Sequence, residues 1–586
     1  MPISPEQEHI DAAVRRYLGR IGRRYAPFAI GLLCFVLVVT LVPTVSRNAA
    51  TGGANGGSGL AAGGSGAGTG GPNPGPASGS PTAGSVTATG GGGVSPGATG
   101  ATPGLPGAAP VAAGVTQAAP PGSAGRTRSG VSCGPGVRQV PWSAYAPLCE
   151  PAYSGNNGGA TSHGVTGDTI TVAYRESSSA EDAAVQAAAG AAAPAPDPQF
   201  EADMNTYISY FNKQYELYGR HVVLKPFKGQ SDYIQEDQGN DAPQAQADAQ
   251  TESDMGAFAD ATFYLKASEV FQNALANQKV VSFGALGLPQ NWFERHAPYA
   301  FSAFLDGTKA AHWMSSMSCD RMAGMNAEFA HDPLYKKTPR KFGLVTPENP
   351  DYVEIGNEIT SGLKACGVSL TKTVRYQIDV STFESQAATL SAQLKAAGVT
   401  TVLCYCDPLV PIFLSNSAAG QNYYPEWVEP YYGDAQARLM DKNEWSGAIS
   451  EGATYPTKAQ LEAYRVFKLA SPNAEPAEQY YAIAYITVLH LFSGLQAAGP
   501  DLRPPTLQRG FFSLPASTGV FDGWSGGNGQ YTPFVDTSLA WWDNNAVSNF
   551  DGKAGAWRDC DGGARYRFAD PQGWGPAHTR LHCFGK

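Results

Sequence analysis

Two short patterns in the sequence carry residue types that can support catalytic or metal chemistry. Residues 523–527 (GWSGG) have the Gly-x-Ser-x-Gly spacing of a nucleophilic serine, which requires a strand before the serine and a helix after it. Residues 528–530 (NGQ) indicate a turn at that point instead. His578, His582 and Cys583 could contact zinc, but no acidic ligand lies beside them. We therefore expect no enzyme, no cofactor and no metal site.

The cysteines are the other reactive side chains. Beyond residue 130 their number is even, and in an exported chain this indicates disulfides. Cys404 and Cys406 could pair locally, although a strand would turn both side chains to one side, and metal binding or free thiols stay open for them. Proximity along the chain predicts three further pairs: Cys133–Cys149, Cys560–Cys583 and Cys319–Cys366.

An uncharged apolar stretch at residues 28–45 has about the minimum length for spanning a bilayer. Arginines cluster before it, whereas only Arg47 follows before Arg126. The positive-inside rule then predicts a cytoplasmic basic segment at residues 1–27 and an extracytoplasmic remainder. We interpret residues 28–45 as a single-pass signal anchor in a bacterial cell membrane, and a cleaved signal peptide is the alternative. Leu33 precedes Cys34, so Cys34 is predicted to be a buried thiol rather than a lipidation site.

Residues 46–130 consist almost wholly of Gly, Ala, Pro, Ser and Thr, with no acidic residue. Such a composition buries little apolar surface and predicts a disordered tether. Residues 131–164 then form a lead-in that contains two cysteines. Charged residues make up only 15% of the chain and the formal net charge is −10, which argues against a nucleic-acid partner.

Strand-like and helix-like segments alternate from about residue 165 onward. This alternation is typical of parallel sheets covered by helices on both faces, and two such runs predict two α/β lobes. The predicted strands are 169–174, 222–227, 257–263, 280–283, 341–345, 370–376 and 400–405. The predicted helices are 201–218, 265–276, 351–365 and 384–397.

Several segments, taken in order, resemble type I periplasmic solute-binding proteins, the branched-chain amino acid receptor family. They are residues 164–170 (GVTGDTI), 210–212 (YFN), 219–224 (GRHVVL), 518–523 (TGVFDG), 529–531 (GQY) and 539–543 (LAWWD). The resemblance covers residues 165–550 and implies two Rossmann-like lobes joined by a hinge.

The resemblance also implies the division of the chain and its function. Lobe 1 is expected at residues 165–303 and 435–535, and lobe 2 at 304–434 and 536–550, with a cysteine-containing extension at 551–586. Proteins of this kind close over a small molecule and serve an ABC permease or a membrane sensor partner. A cell-surface scaffold, adhesion or receptor module that reuses the fold without transport is the alternative.

In this family, loops after the strands line the cleft, and the resemblance assigns ligand contacts to the matching positions. The predicted contacts are Tyr352, Tyr405, Tyr432, Thr262, Ala285, Leu286, Arg175 and Glu176. Tyr432 falls where amino-acid receptors place a carboxylate for the ligand's ammonium group. An α-amino acid is therefore doubtful, and an aromatic cleft favours a ring-bearing or amphipathic molecule.

Two segments depart from the family. Residues 178–200 are rich in Ala and Pro, and residues 230–255 are rich in Asp, Gln and Glu with little apolar content. Both are predicted to be loops near the mouth of the cleft.

Overall fold

The computed structural model divides the chain into two compact units, Met1–Pro103 and Gly104–Lys586. The residues that it describes all lie in the second unit: 114–177, 196–263, 266–430, 433–452, 456–477, 480–519, 522–568 and 579–584. The predicted cytoplasmic segment 1–27, the anchor 28–45 and the tether up to residue 113 lie outside the described residues, as do residues 178–195. The prediction that the tether extends to residue 130 is wrong, because residues 125–126 form a strand that pairs with residues 132–133.

The described chain starts in lobe 1 with a small hairpin and continues with alternating strands and helices. In chain order these elements are β1 (Gly125–Arg126), β2 (Ser132–Cys133), β3 (Thr169–Glu176), α1 (Asp197–Gln214), β4 (His221–Lys228), α2 (Tyr233–Asp237), α3 (Ala242–Asp254), β5 (Ala259–Asp260), α4 (Glu269–Asn277), β6 (Val281–Ser282) and α5 (Gln290–His296).

The chain then enters lobe 2, whose first elements are α6 (Gly307–Arg321), β7 (Phe342–Pro347), α7 (Pro350–Ala365), β8 (Lys372–Tyr376), α8 (Phe383–Ala396), β9 (Thr401–Cys404), α9 (Val410–Gly420), β10 (Glu426–Glu429), α10 (Asp434–Ala437), α11 (Lys442–Trp445) and β11 (Ile449–Glu451).

Three helices return to lobe 1 and four strands complete lobe 2. The helices are α12 (Glu462–Ala470), α13 (Tyr481–Ala498) and α14 (Pro504–Phe512). The strands are β12 (Asp536–Thr537), β13 (Leu539–Val547), β14 (Ala554–Asp559) and β15 (Tyr566–Arg567).

Each lobe is built on its own sheet. The lobe 1 sheet has the order β4-β3-β5-β6, and all its neighbouring strands are parallel. The lobe 2 sheet has the order β14-β13-β11-β10-β9-β7-β8. Strands β7 to β11 are parallel, β13 is antiparallel to β11, and β14 is antiparallel to β13. Separate hydrophobic clusters cover the two faces of each sheet. The two-lobed α/β fold predicted from the alternation is therefore present.

The predicted lobe boundary at residue 435 is wrong. β11 pairs with β10 and β13 in the lobe 2 sheet, so the chain returns to lobe 1 only after Glu451. The short helices α10 and α11 hold this segment in lobe 2, because Trp445 is fully buried and packs against Trp427 at 5.7 Å between ring centroids. Helices of four residues carry no period that a sequence pattern could reveal.

The prediction that residues 230–255 form a loop is also wrong, since they form α2 and α3. α2 buries Tyr233 and Glu236, and the buried face of α3 consists of small and acidic residues, among them Ala245, Asp248 and Ala249. Arg175 of β3 compensates the buried carboxylates of Glu236 and Asp248. A segment of this kind has the composition of a loop and the packing of a core helix.

The segments at both ends of the predicted domain belong to the lobes. In the lead-in, Val140, Tyr145 and Ala146 are part of the lobe 1 core. In the extension after residue 550, β14 adds an edge strand to the lobe 2 sheet. Neither segment is a separate appendage, because each contributes buried residues to the lobe on which it lies.

The structure contains the three disulfides expected from proximity, Cys133–Cys149, Cys319–Cys366 and Cys560–Cys583. It also joins Cys404 to Cys406, which resolves the alternatives left open for that pair. The end of β9 at Cys404 permits this bond, because Cys406 lies beyond the regular strand.

One helix of the described chain is long and apolar enough to cross a membrane. It is α13, and 78% of its apolar window is buried inside the protein. It packs in the lobe 1 core, where Phe492 lies 5.4 Å from Phe211 between ring centroids. The burial identifies α13 as a core helix.

A buried ion pair in lobe 2 leads to a stability prediction. Arg340 contacts both carboxylate oxygens of Glu426 at 2.7 and 2.8 Å, and both side chains are almost fully buried. Arg340→Ala leaves the carboxylate buried without its partner, so we expect the free energy of unfolding to fall by about 3–5 kcal/mol. Arg558→Ala, which removes an exposed arginine 3.6 Å from Asp543, is the control and should change it little. Denaturant unfolding measures both, and equal losses would contradict the prediction.

Candidate functional site

The carboxyl ends of the parallel strands in the two lobes face each other, and the loops that leave them meet between the lobes. The hydroxyl of Tyr405, just after β9, donates a hydrogen bond to the carbonyl of Gly287 in lobe 1 at 2.9 Å. The side-chain amide of Asn349, just before α7, donates to the carbonyl of Asp237 at the end of α2 at 2.7 Å. The candidate site therefore lies where these loops meet.

Tyr405 is held firmly at this position. Its backbone N–H donates to the carbonyl of Val345 at 3.0 Å, which continues the β7–β9 pairing past the end of β9. Its side chain is only 5% exposed. Gly287 has a φ of +68°, and a Cβ on it would lie 2.9 Å from the Tyr405 hydroxyl. The close approach of the two lobes therefore requires glycine at this position.

Tyr352 lies beside Tyr405, in the first turn of α7. The two ring centroids are 5.7 Å apart. Its hydroxyl makes no hydrogen bond with any residue that the structure describes, and its ring is half-buried. Burial, with the carboxyls of Asp407 and Asp237 nearby, raises the pKa of Tyr352 far above its usual value. The two tyrosines thus present a neutral aromatic wall on lobe 2 with one phenol free to bond.

A pair of carboxyls connects the lobes at the edge of this wall. Asp351 belongs to α7 of lobe 2, and Glu269 begins α4 of lobe 1. Burial, and then a hydrogen bond with Glu269, raise the pKa of Asp351 to about 8. Two carboxyls can form such a bond only when they share a proton.

A second pair of carboxyls faces the cleft. Burial, and then the negative charges of Glu236 and Asp407, raise the pKa of Asp237 to about 8. Asp407 accepts hydrogen bonds from the Tyr376 hydroxyl at 2.6 Å and from the Leu409 N–H at 2.8 Å. Asp407 is therefore a fixed structural carboxylate, whereas Asp237 has no hydrogen-bond partner for its side chain within the described part of the chain.

Arg175, a predicted ligand contact, lies inside lobe 1. Its guanidinium contacts Glu236 at 2.5 Å and Asp248 at 3.4 Å, and it stacks 3.6 Å above the ring of Phe271. The side chain is 3% exposed. Because its donors are taken up by these partners, we leave Arg175 out of the proposed site.

Thr262 is likewise bonded within lobe 1. Its hydroxyl donates to Asp260 at 2.5 Å and accepts from the backbone N–H of Arg175 at 2.9 Å. Burial raises the pKa of Asp260 to about 6. The hydroxyl proton of Thr262 is already committed to Asp260, so this position offers little to a ligand carboxylate.

The other predicted contacts differ in their surroundings. Ala285 is fully buried, and its carbonyl accepts a hydrogen bond from the Ser302 hydroxyl. Leu286, next to it, is 37% exposed at the lobe 1 side of the cleft. Glu176 lies at the end of β3 and hydrogen-bonds Glu201, whose pKa is raised to about 7 chiefly by burial. Tyr432 lies outside the described residues.

The sequence analysis missed Asp237, Glu269, Asn349 and Asp351. Asn349 and Asp351 flank the start of α7 beside the predicted Tyr352, so their position after β7 was a usable signal. Asp237 and Glu269 begin or end helices of lobe 1 whose apposition to lobe 2 is set by the tertiary fold.

Among the described residues there is no group of His, Cys, Asp and Glu side chains that could hold a metal ion. The hydroxyl of Ser525 donates to the carbonyl of Gly526 at 2.9 Å in a non-helical segment.

Comparison with known proteins agrees with this architecture. Residues 183–532 match the family model described as periplasmic binding protein. The chain belongs to the periplasmic binding protein family. The resemblance inferred from the sequence is thereby confirmed, and the family is a solute-binding one.

Solved structures with the same fold include an ABC transporter substrate-binding protein of Aeropyrum pernix, with a TM-score of 0.50, 11% identity, and coverage of 69% of this chain and 97% of that one. A leucine-, isoleucine-, valine-, threonine- and alanine-binding protein of Brucella ovis gives 0.47 at 11% identity, covering 70% and 100%. A solute-binding protein of Rhodopseudomonas palustris BisB5 in complex with 3,4-dihydroxybenzoic acid gives 0.48 at 11%, covering 69% and 98%. At 11% identity the likeness to the Aeropyrum pernix protein shows the fold alone, and nothing is argued from the two lower TM-scores. The chain matches none of the curated proteins with which it was compared.

The contact between Gly287 and Tyr405 can be tested in this periplasmic binding protein with a pair of glycine variants. Gly287 and Gly256 both have a positive φ, but a Cβ on Gly256 would meet nothing within 4 Å. Both alanine variants should lose about 1–2 kcal/mol of unfolding free energy through backbone strain. Only Gly287→Ala should accelerate hydrogen–deuterium exchange in residues 284–291 and 348–355, because only it separates the lobes. Equal exchange in the two variants would refute the role given to Gly287.

The carboxyl pair leads to a pH prediction. Folding raises the pKa of Asp351 from 3.8 to about 8, so the folded protein holds a proton that the unfolded chain releases in this window. Stability from this group is therefore lost as pH rises from about 4 to about 8. Asp351→Asn keeps a donor to Glu269 without titrating, so its melting temperature should rise relative to that of the wild type between about pH 4 and pH 8 and level off above that. Asp254→Asn, at the opposite end of the lobe 1 sheet, is the control; a constant difference for both variants would contradict the assignment.

Proposed function

We propose that the protein is a membrane-anchored extracytoplasmic solute-binding protein that clamps a small molecule between its lobes, for ABC-type uptake or for sensing. The observation that carries this proposal is the pair Tyr352 and Tyr405, which lie at the strand ends of lobe 2 and face the loop of Gly287 in lobe 1. A molecule contacting both sides favours the closed arrangement over the open one. The anchoring rests on the apolar stretch 28–45.

The charges near the cleft favour a neutral or cationic ligand. Arg175 and Lys266, the cations behind the lobe 1 strand ends, are both paired with buried carboxylates. The undescribed segments between residues 178 and 521 contain no lysine, arginine or histidine. An anionic ligand would therefore find few counter-charges other than Arg295, which acts on Asp351. A cation could instead displace the protons that Asp237 and Asp351 hold and pair with their carboxylates. Together with the tyrosines, this supports a ring-bearing or amphipathic ligand without a carboxylate.

Ligand charge can be tested with molecules that share a ring. Tyramine, tyrosine and 4-hydroxyphenylacetate carry the same hydroxyphenyl group and differ in charge, and the phenyl and indole series extend the size range. We expect the amines to raise the melting temperature, because their ammonium group can pair with the carboxyls of the cleft. A ligand at about 100 times its Kd adds roughly 2.7 kcal/mol to the stability of the folded state. Preferential stabilisation by the carboxylates would overturn the charge argument.

The binding position can be tested in the same assay. Tyr352→Ala should weaken binding of any stabilising compound by about tenfold, the ratio that the loss of roughly 1.4 kcal/mol gives. Tyr153→Ala, which removes a half-buried tyrosine of the lead-in whose hydroxyl donates to the Thr116 carbonyl at 2.7 Å, is the matched control and should leave binding unchanged.

The direct bond from Tyr405 to Gly287 favours one alternative, a receptor or scaffold module in which the lobes hold each other without a small molecule. If no compound of a broad metabolite library changes the melting temperature, while the amides of residues 284–291 remain protected from exchange, the result supports this alternative. It then contradicts the proposal that the lobes clamp a small molecule.

A further inference from the structure

The disulfide between Cys404 and Cys406 brackets Tyr405, the residue through which lobe 2 contacts lobe 1. Cys404 is the last residue of β9, and the two Cα atoms lie 5.2 Å apart. Alternate Cα atoms of an extended strand lie about 6.6 Å apart. The backbone around Tyr405 is therefore shorter from Cys404 to Cys406 than an extended strand would be, and the regular strand ends there.

The disulfide also fixes the face from which Tyr405 projects. Cys404 and Cys406 both belong to the hydrophobic cluster on one face of the lobe 2 sheet, together with residues of α8 and α9. Tyr405 belongs to the cluster on the opposite face, with residues of α6 and α7. Because the two neighbours are tied on one face, the ring of Tyr405 is confined to the face where Tyr352 and Gly287 lie.

Hydrogen bonds hold the chain on both sides of the disulfide. Before it, Tyr405 is bonded through its N–H to Val345. After it, the N–H of Asp407 donates to the Tyr376 hydroxyl at 2.8 Å, and that hydroxyl donates back to the Asp407 carboxylate at 2.6 Å. The Cys404–Cys406 disulfide adds a covalent restraint to this hydrogen-bonded segment, and a two-electron reduction can break it.

We propose that the Cys404–Cys406 disulfide is a positioning element of the clamp, and that reduction by a dithiol releases Tyr405 and loosens the closed lobes. In the reaction the dithiol gives up two electrons and two protons and closes to its own disulfide, while Cys404 and Cys406 become thiols. Cys404 is fully buried and Cys406 is 8% exposed, so the reductant gains access when this edge opens locally. The proposal rests on the proposed function, because it assigns the disulfide a role in lobe closure.

Hydrogen–deuterium exchange of the full-length chain tests the proposal without a ligand. In the double variant Cys404→Ser and Cys406→Ser, residues 284–291 and 348–355 should exchange about tenfold faster, as expected for the loss of one neutral hydrogen bond with its ring contact. The matched control is the double variant Cys133→Ser and Cys149→Ser, which removes a disulfide of the lead-in with a sequence separation of 16. This control should accelerate exchange only in the lead-in.

A double-mutant cycle separates positioning from a merely structural effect. If the disulfide acts through the Tyr405 hydroxyl, removing both cysteines in a Tyr405→Phe background should add less than about a twofold further increase. Full additivity of the two changes would overturn the proposal, and so would wild-type exchange in the cysteine variant.

Reduction of the wild-type chain covers the case in which the cysteine variant does not fold. Dithiothreitol is titrated into the folded protein, and alkylation with peptide mapping reports which pair has opened. Opening of Cys404–Cys406 should coincide with faster exchange at residues 284–291, and opening without that change would refute the proposal. Because none of these measurements uses a ligand, they can succeed even if the metabolite panel finds none, which keeps a failure of the disulfide role distinct from a failure of the clamp.

Discussion

The guanidinium of Arg175 is the interaction on which the cleft edge of lobe 1 depends. It extends from β3 to Glu236 of α2 and Asp248 of α3, and all three charged groups are buried. Its removal would leave two carboxylates in the interior without a counter-charge, which is among the most destabilising changes a core can undergo. Asp237 follows Glu236 directly, so the same ion pair that secures α2 also fixes the carboxyl that lobe 1 presents to lobe 2.

This arrangement explains which parts of the fold could be predicted from the sequence. Strands such as β3 and β7 and helices such as α7 and α8 were predictable, because a buried strand and an amphipathic helix each impose a period on the chain. α2 and α3 were not, since α2 buries Glu236 and α3 buries alanines and acidic residues, and Arg175, more than sixty residues earlier, supplies the counter-charge for Glu236 and Asp248. The return to lobe 1 was misplaced for a related reason: β11 has three residues and follows two helices of four.

The candidate site divides in the same way. Tyr352 and Tyr405 could be proposed as contacts because the family resemblance places ligand contacts in the loops that follow the strands. Thr262 and Arg175 stand at equivalent positions in lobe 1, yet their polar atoms are bonded to Asp260, Glu236 and Asp248. No pattern reveals such local pairing, because the partners come from separate elements. The contact of Asp351 with Glu269 could not be predicted from the sequence either, because it depends on how one lobe is oriented relative to the other.

The two ends of the described chain are secured on different lobes. The lead-in before β3 is part of the lobe 1 core, whereas the last described residues lie on lobe 2, where Phe584 packs 4.2 Å from Trp541 between ring centroids. A force applied at residue 114 would therefore act first on lobe 1, and lobe 2 would receive it through the chain connections between the lobes and through contacts such as Tyr405–Gly287 and Asn349–Asp237. With lobe 1 held in place, lobe 2 would be the part that moves. Opening or closing of the lobes on ligand binding would then displace chiefly the surface on which residues 579–584 lie.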